Sequence, residues 1–290
     1  MILGIKNSGL SMRILQTVCN GCRPPRILIH HPARRARRVF FISLFILSSS
    51  YAQDAKWNIS KSDHFIVYYK NASQDDISKV VSNVEGSYSE IASNLGFTRF
   101  NFWLWENRAK IYVYDNAKDY HLSTGTPQWS AGGTQMARKT IATYPGAQGF
   151  FERVLPHEMG HIIFREFVGF TNLAVPLWLD EGVAMYQEKN KGIYSYSYLR
   201  QAMGQGNFMN IYQLSVCNIA SCSDQKKVQL YYIESLSIVT YLITEFGRDR
   251  FVIFCQNLRD KADLERAIAS AYNFSNLKEL DSAWQAYIKK

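Results

Sequence analysis

The sequence predicts an α+β protein, in which a small sheet comes first and a larger helical part follows. Segments 64–70 and 109–114 are rich in β-branched and aromatic residues, as strands are. From residue 150 onward, apolar residues recur mostly at helical spacing. Because strand patterns precede the helical ones and do not alternate with them, we expect an α+β rather than an α/β architecture. A composition of 47% hydrophobic and 20% charged residues is typical of a folded chain with a large core.

The first half of the chain is expected to contain one long helix and one or two further strands. The helix follows the first strand, begins at Ser73 or Asp75 as the capping residue, and ends at Gly96. The Gly- and Thr-rich segment 131–144 predicts one or two more strands. One face of the helix carries a continuous apolar stripe: Ile77, Val80, Val81, Val84, Tyr88, Ile91, Ala92 and Leu95.

The second half is expected to be helical. Segments 150–167 and 176–188 have helical periodicity, whereas segment 189–216 is mixed and interrupted by Gly204 and Gly206. Four more helices are predicted after it, at residues 229–246, 248–259, 262–272 and 277–288. Gly247 ends the first of them.

The net charge does not indicate a nucleic-acid partner. The chain has 33 Lys+Arg and 24 Asp+Glu, a net charge of +9. Eight of the basic residues lie within residues 1–52, and Asp54 is the first acidic residue. The remaining chain is therefore close to neutral, so its bulk charge predicts no polyanion as a partner.

Residues 1–52 have the pattern of a signal peptide with a long basic n-region. An Arg-rich cluster precedes the short apolar run 39–47, and Ser50 and Ala52 take the −3 and −1 positions of a cleavage site. We expect a mature chain of residues 53–290, secreted or periplasmic, with no stable membrane span after cleavage, because the apolar run is shorter than a bilayer requires. An uncleaved N-terminal anchor is the alternative.

The predicted mature chain contains three cysteines, for which we expect different redox states. Cys217 and Cys222 are spaced so that a disulfide would close a small loop in an oxidising compartment. Cys255 lies in an apolar helical stretch, so we expect a buried thiol.

Residues 157–161 form the motif H-E-x-x-H, which carries the chemistry of this sequence. On a helix, His157 and His161 share one face, so both imidazoles reach one ion. Zinc suits nitrogen ligands and provides a nucleophilic water at neutral pH. Glu158, beside that water, is placed to act as general base. The alternative is a helix face with two histidines that are satisfied by ordinary hydrogen bonds.

A catalytic zinc ion needs a third protein ligand, and Glu181 is the candidate. It lies 20 positions after His161 in the segment W-L-D-E-G-V-A, residues 178–184. Together, the two motifs resemble the gluzincin branch of zinc peptidases, which includes thermolysin and the membrane-alanyl aminopeptidases. The resemblance implies that His157, His161 and Glu181 bind one Zn²⁺. The alternative for Glu181 is a solvated carboxylate on a helix face.

Residues further along extend this resemblance to small secreted peptidase-MA-like proteins of bacteria. They are Tyr232-x-x-Ser235, Phe246-Gly247 and Ala283-Trp284-x-x-Tyr287. The resemblance implies a zincin-like fold, with residues 53–170 forming the sheet and active-site helix and residues 171–290 a helical lobe. It also implies a tyrosine that stabilises the oxyanion, for which Tyr232 is the candidate and Tyr231 its neighbour. A core aromatic is the alternative for Tyr232.

The upstream strand departs from the aminopeptidase pattern. Gly132 and Gly133 lie where that branch carries a Gly-x-Met-Glu-Asn strand, but the glutamate that holds a substrate amino terminus is missing. We therefore expect no typical aminopeptidase, and we expect the strand to bind an extended peptide substrate through its edge.

The expected function is a secreted zinc-dependent peptidase that acts on a peptide or protein substrate. The alternative is a catalytically inactive zincin-like binding module of the cell envelope. Retention of Glu158 beside the three proposed ligands favours the enzyme, since a binding module has no use for a general base.

Overall fold

A computed structural model describes residues 57–128, 130–189 and 196–290. The segment expected to be a signal peptide lies outside these residues. Within the described part of the chain, no helix has the length and apolar character to cross a membrane.

The N-terminal half forms a five-stranded mixed sheet with the order β1-β2-β3-β5-β4. β2 and β3 are parallel, as are β3 and β5, whereas β1 and β4 pair antiparallel at the two edges. The alternating residues Phe65, Val67, Ile111 and Ile141 are buried on one face. The strands are β1 Asn58–Lys61, β2 Phe65–Tyr69, β3 Ala109–Val113, β4 Gly132–Gln135 and β5 Thr140–Thr143.

Two helices connect these strands. Helix α1, Gln74–Leu95, begins at Ser73, whose side chain accepts a hydrogen bond from the Asp76 amide, and ends at Gly96 in the left-handed conformation. Its apolar stripe is buried, as predicted, except for the partly exposed Val81. Helix α2, Ala117–Thr124, was not predicted; it is short and has only one buried residue, Tyr120.

The remaining described chain is mostly helical. Helix α3 packs between α1 and the next helix, α4, which in turn packs chiefly against α7. The helices are α3 Leu155–Val168, α4 Leu177–Tyr186, α5 Tyr196–Gly204, α6 Ile211–Val216, α7 Gln225–Phe246, α8 Arg248–Lys261, α9 Leu264–Tyr272 and α10 Leu277–Lys289.

This arrangement confirms the predicted α+β class, with a small mixed sheet followed by helices. Strand β1 escaped prediction because most of its residues are exposed and polar. Helix α7 begins a turn earlier than predicted, because Asp224 caps it through hydrogen bonds from two backbone amides. Cys255 is a buried free thiol, as expected. Cys217 and Cys222 are also free thiols, so the disulfide considered for them is not formed in this structure.

Candidate metal centre

The H-E-x-x-H motif lies in the first turns of α3, directly after a π-helical turn, Phe150–Val154. Pro156 occupies the first turn of α3, where a missing N–H is tolerated. His157 and His161 are one helical turn apart and both are buried. Their Nε2 atoms are 3.2 Å apart, so the two rings converge on one point.

The other ring nitrogen of each histidine faces a buried carboxylate. His157 Nδ1 is 2.8 Å from Glu188 Oε1, and His161 Nδ1 is 2.9 Å from Asp180 Oδ1. Asp180 also accepts a hydrogen bond of 2.7 Å from Arg165 Nε. An ionised carboxylate only accepts hydrogen bonds, so each Nδ1 carries a proton; in the neutral form of each ring, which binds a metal, Nε2 then presents the lone pair.

Glu181 completes the group. Its Oε2 atom is 3.6 Å from the Nε2 atom of both histidines, is buried, and has no hydrogen-bond partner. One ligand atom from each of the three residues lies within 4.8 Å of the others. Three acceptors that converge in a buried space need a cation, and two imidazoles with one carboxylate suit zinc. The donor set of this site therefore fits the expected metal.

The carboxylates around the two histidines favour positive charge at the site. Burial opposes a charge on His157, but the nearby carboxylates of Glu181, at 3.6 Å, and Glu188, at 2.8 Å, outweigh it and raise the pKa of His157 to about 9. Burial likewise opposes a charge on His161, whose pKa is nevertheless raised by Asp180 and Glu181. Burial would raise the pKa of Glu181, yet the two histidines hold it well below its usual range. The site thus favours positive charge between these side chains.

Two glycines allow the helices of the site to approach closely. A Cβ atom on Gly160 would lie 3.0 Å from Ala184 Cα, so α3 and α4 meet backbone to backbone there. A Cβ atom on Gly182 would lie 2.4 Å from the Ser235 carbonyl oxygen on α7. The second glycine follows Glu181, so the close contact fixes that carboxylate against the helix that carries Tyr231 and Tyr232.

Both tyrosines considered for oxyanion stabilisation lie near Glu181. Burial raises the pKa of Tyr231 and of Tyr232 above the ordinary value, and the charge of Glu181 adds to the effect in each case. The hydroxyl of Tyr231 is buried without a partner. Tyr232 retains 6% of its surface, whereas Tyr231 retains none, so Tyr232 is the one that touches solvent.

The glycines singled out in the upstream segment lie on the edge strand β4, which packs against α3. The carbonyls of Lys139 and Thr143 accept bonds from β3, so the alternate residues of β5 face β4. The strand register pairs these alternate residues with Gly133 and Gln135. The backbone groups of Gly132 and Thr134 therefore point away from β5, whereas Gly133 uses its own inside the sheet. The Gly132 carbonyl is buried and accepts a hydrogen bond of 2.7 Å from Ser130 Oγ, so Thr134 is the residue of the two at the free edge.

Reasoning from the sequence named His157, His161 and Glu181, which the structure brings together, and Glu158, which lies beside them on α3. It missed the carboxylates behind the histidines, Asp180 and Glu188. Asp180 directly precedes Glu181, and an acidic residue next to a candidate ligand is a usable signal. Glu188 lies beyond the end of α4, so its position depends on how that helix ends.

The chain thus combines a small mixed sheet, a helix with two convergent histidines and a carboxylate from the next helix, which is the architecture of zincin-like peptidases. In agreement, the model of the Peptidase MA superfamily matches residues 105–290, more than half of the chain. The protein belongs to this superfamily, which supports a peptidase acting on peptide or protein substrates. A search of curated proteins found no matching relative.

Proposed function

We propose that this protein is a zinc-dependent peptidase of the gluzincin type. The observation that carries the proposal is the convergence of three buried acceptors, His157 Nε2, His161 Nε2 and the unpartnered Glu181 Oε2. These residues would hold one zinc ion, which when bound supplies Lewis acidity to activate a water molecule and polarise a carbonyl.

Glu158 is proposed as the general base. It follows His157 on the same turn of α3 and, unlike its two buried histidine neighbours, is partly exposed. A carboxylate in this position takes a proton from the attacking water and delivers it to the leaving amine. Among the described residues, its carboxylate takes part in no hydrogen bond or ion pair, which leaves it free for this transfer.

We assign stabilisation of the oxyanion to a residue of α7 and binding of the substrate backbone to β4. Tyr232 is proposed to donate a hydrogen bond to the oxyanion, because it lies near Glu181 and retains contact with solvent. The free edge of β4 at Thr134 is proposed to pair with an extended substrate. We expect Tyr232→Phe to lower kcat about 10²- to 10³-fold with little change in KM. Tyr231→Phe, which removes the enclosed hydroxyl, should have a much smaller effect.

Metal analysis and one matched pair of variants test the proposal. The purified protein should contain one zinc ion per chain, and His161→Ala should lose it. Glu158→Gln should retain zinc and reduce cleavage of a peptide library about 10²- to 10⁴-fold. Glu90→Gln, the same change on an exposed position of α1, is the control and should leave both unchanged. A wild-type protein that holds zinc but cleaves nothing would contradict the catalytic part.

Export is proposed from the sequence pattern of residues 1–52 alone. Expression of the full chain with its leader should yield secreted or periplasmic protein whose first residue is Gln53. Recovery of membrane-bound protein that retains residues 39–47 would support the uncleaved anchor instead.

A further inference from the structure

The residue before the H-E-x-x-H motif, Pro156, lies where the π-helical turn leads into α3. Pro156 has no N–H, and its ring collides with the carbonyl four residues earlier in an ordinary helix. That carbonyl belongs to Glu152, in the π-helical turn that leads into α3. A π-turn adds one residue to the helix and thereby reorients the local carbonyls.

The Glu152 carbonyl oxygen accepts a hydrogen bond from outside the helix. Its donor is the backbone N–H of Lys189, at 2.9 Å. Lys189 lies beyond the end of α4 and directly follows Glu188. The carboxylate of Glu188 faces His157 Nδ1 at 2.8 Å, so the backbone bond lies one residue from the partner of a proposed metal ligand.

The residue on the other side of Glu188 is held as well. The Gln187 side chain donates to the Val183 carbonyl at 3.1 Å and accepts from Asn94 Nδ2 at 3.2 Å. Lys189 has no such side-chain anchor among the described contacts, and its side chain is exposed. The bond to Glu152 is therefore what fixes the backbone on the C-terminal side of Glu188.

We infer that Pro156 is a positioning residue for the metal centre. By withholding an N–H from the helix, it leaves the Glu152 carbonyl available to Lys189, which holds Glu188 on His157. The inference rests on the proposed function, because it takes His157 as a zinc ligand. Alanine at position 156 would restore an N–H that competes for the same carbonyl.

The test is a double-mutant cycle on zinc affinity, measured by competition with a chromophoric chelator. Glu188→Gln should weaken zinc binding about 10- to 100-fold, as loss of a partner behind a metal ligand does, and Pro156→Ala about 3- to 10-fold. The double variant should bind zinc no more weakly than Glu188→Gln alone. Lys189→Ala keeps the N–H and should match wild type. Losses that multiply in the double variant, or an unchanged affinity of Pro156→Ala, would overturn the inference.

Amide hydrogen exchange of the wild-type protein provides a measurement that needs no variant. The Lys189 amide should exchange slowly although its residue is exposed and outside a helix. Rapid exchange there overturns the inference even if Pro156→Ala does not fold. A wild-type protein that binds no zinc overturns the proposed function itself, which separates the two failures.

Discussion

Substitution of Gly182 by alanine tests whether close contact between α4 and α7 builds the site. The added Cβ would lie 2.4 Å from the Ser235 carbonyl oxygen and 2.8 Å from Val239 Cγ2. Ordinary van der Waals contact begins at 3.4 Å, so the helices must separate by about 1 Å. The Ser235 oxygen belongs to the backbone and cannot rotate away, so relief requires movement of a whole helix.

The size of the effect follows from two opposing terms. Overpacking of this kind costs about 1–3 kcal/mol. Alanine is favoured over glycine in a helix by about 1 kcal/mol, which offsets part of that cost. We expect a net loss of up to about 2 kcal/mol, or up to about 8 °C in Tm for a chain of this size. Zinc affinity should fall as well, because Glu181 precedes the displaced residue.

Thermal and urea unfolding measure this prediction against a matched control. Gly86 lies within α1, and a Cβ there would meet nothing within 4 Å. Gly86→Ala should therefore raise stability by up to about 1 kcal/mol through helix propensity alone. If Gly182→Ala stabilises the protein as much as Gly86→Ala does, the packing argument is refuted.

Three further predictions concern other parts of the same core. Gly160→Ala should destabilise less than Gly182→Ala, because its shortest contacts are 3.0 Å; equal losses in urea unfolding would count against a graded steric effect. Burial raises the pKa of Glu234 to about 8, so the folded state keeps a proton that the unfolded chain releases from about pH 4.5 upward. Stability should thus fall from pH 5 to pH 9 by more in wild type than in Glu234→Gln, and parallel pH profiles would exclude this role. Asp180→Asn should weaken zinc binding about 10-fold or more by weakening the bond to His161, and an unchanged chelator titration would contradict it.

The sequence predicts the longer helices and the two histidines because each depends on local spacing. The stripe on α1 and the two histidines of α3 follow from the helical period alone. Glu181 required a resemblance between motifs, since the distance between α3 and α4 depends on packing. The close approach at Gly160, where a Cβ would lie 3.0 Å from Ala184 Cα, is part of that packing.

The features that escaped prediction depend on long-range contacts or on weak patterns. Helix α2 has little apolar periodicity, and its local signals are limited to its ends, where Asn116 caps the start and Gly125 adopts the left-handed conformation. Glu188 reaches His157 because α4 ends at Tyr186 and the next residues turn back toward the π-helical turn. No spacing rule relates these positions, because the path between two helix ends depends on the packed structure.

The two edges of the sheet differ in a way that bears on self-association. β1 ends in Lys61, and a charge on an edge strand opposes the addition of another strand. β4 has the uncharged sequence Gly-Gly-Thr-Gln and presents backbone groups at Thr134. The edge proposed to bind an extended substrate would also pair with a strand from a second copy of the chain. Dimers formed through β4 would therefore compete with substrate, and a bound peptide would keep the protein monomeric.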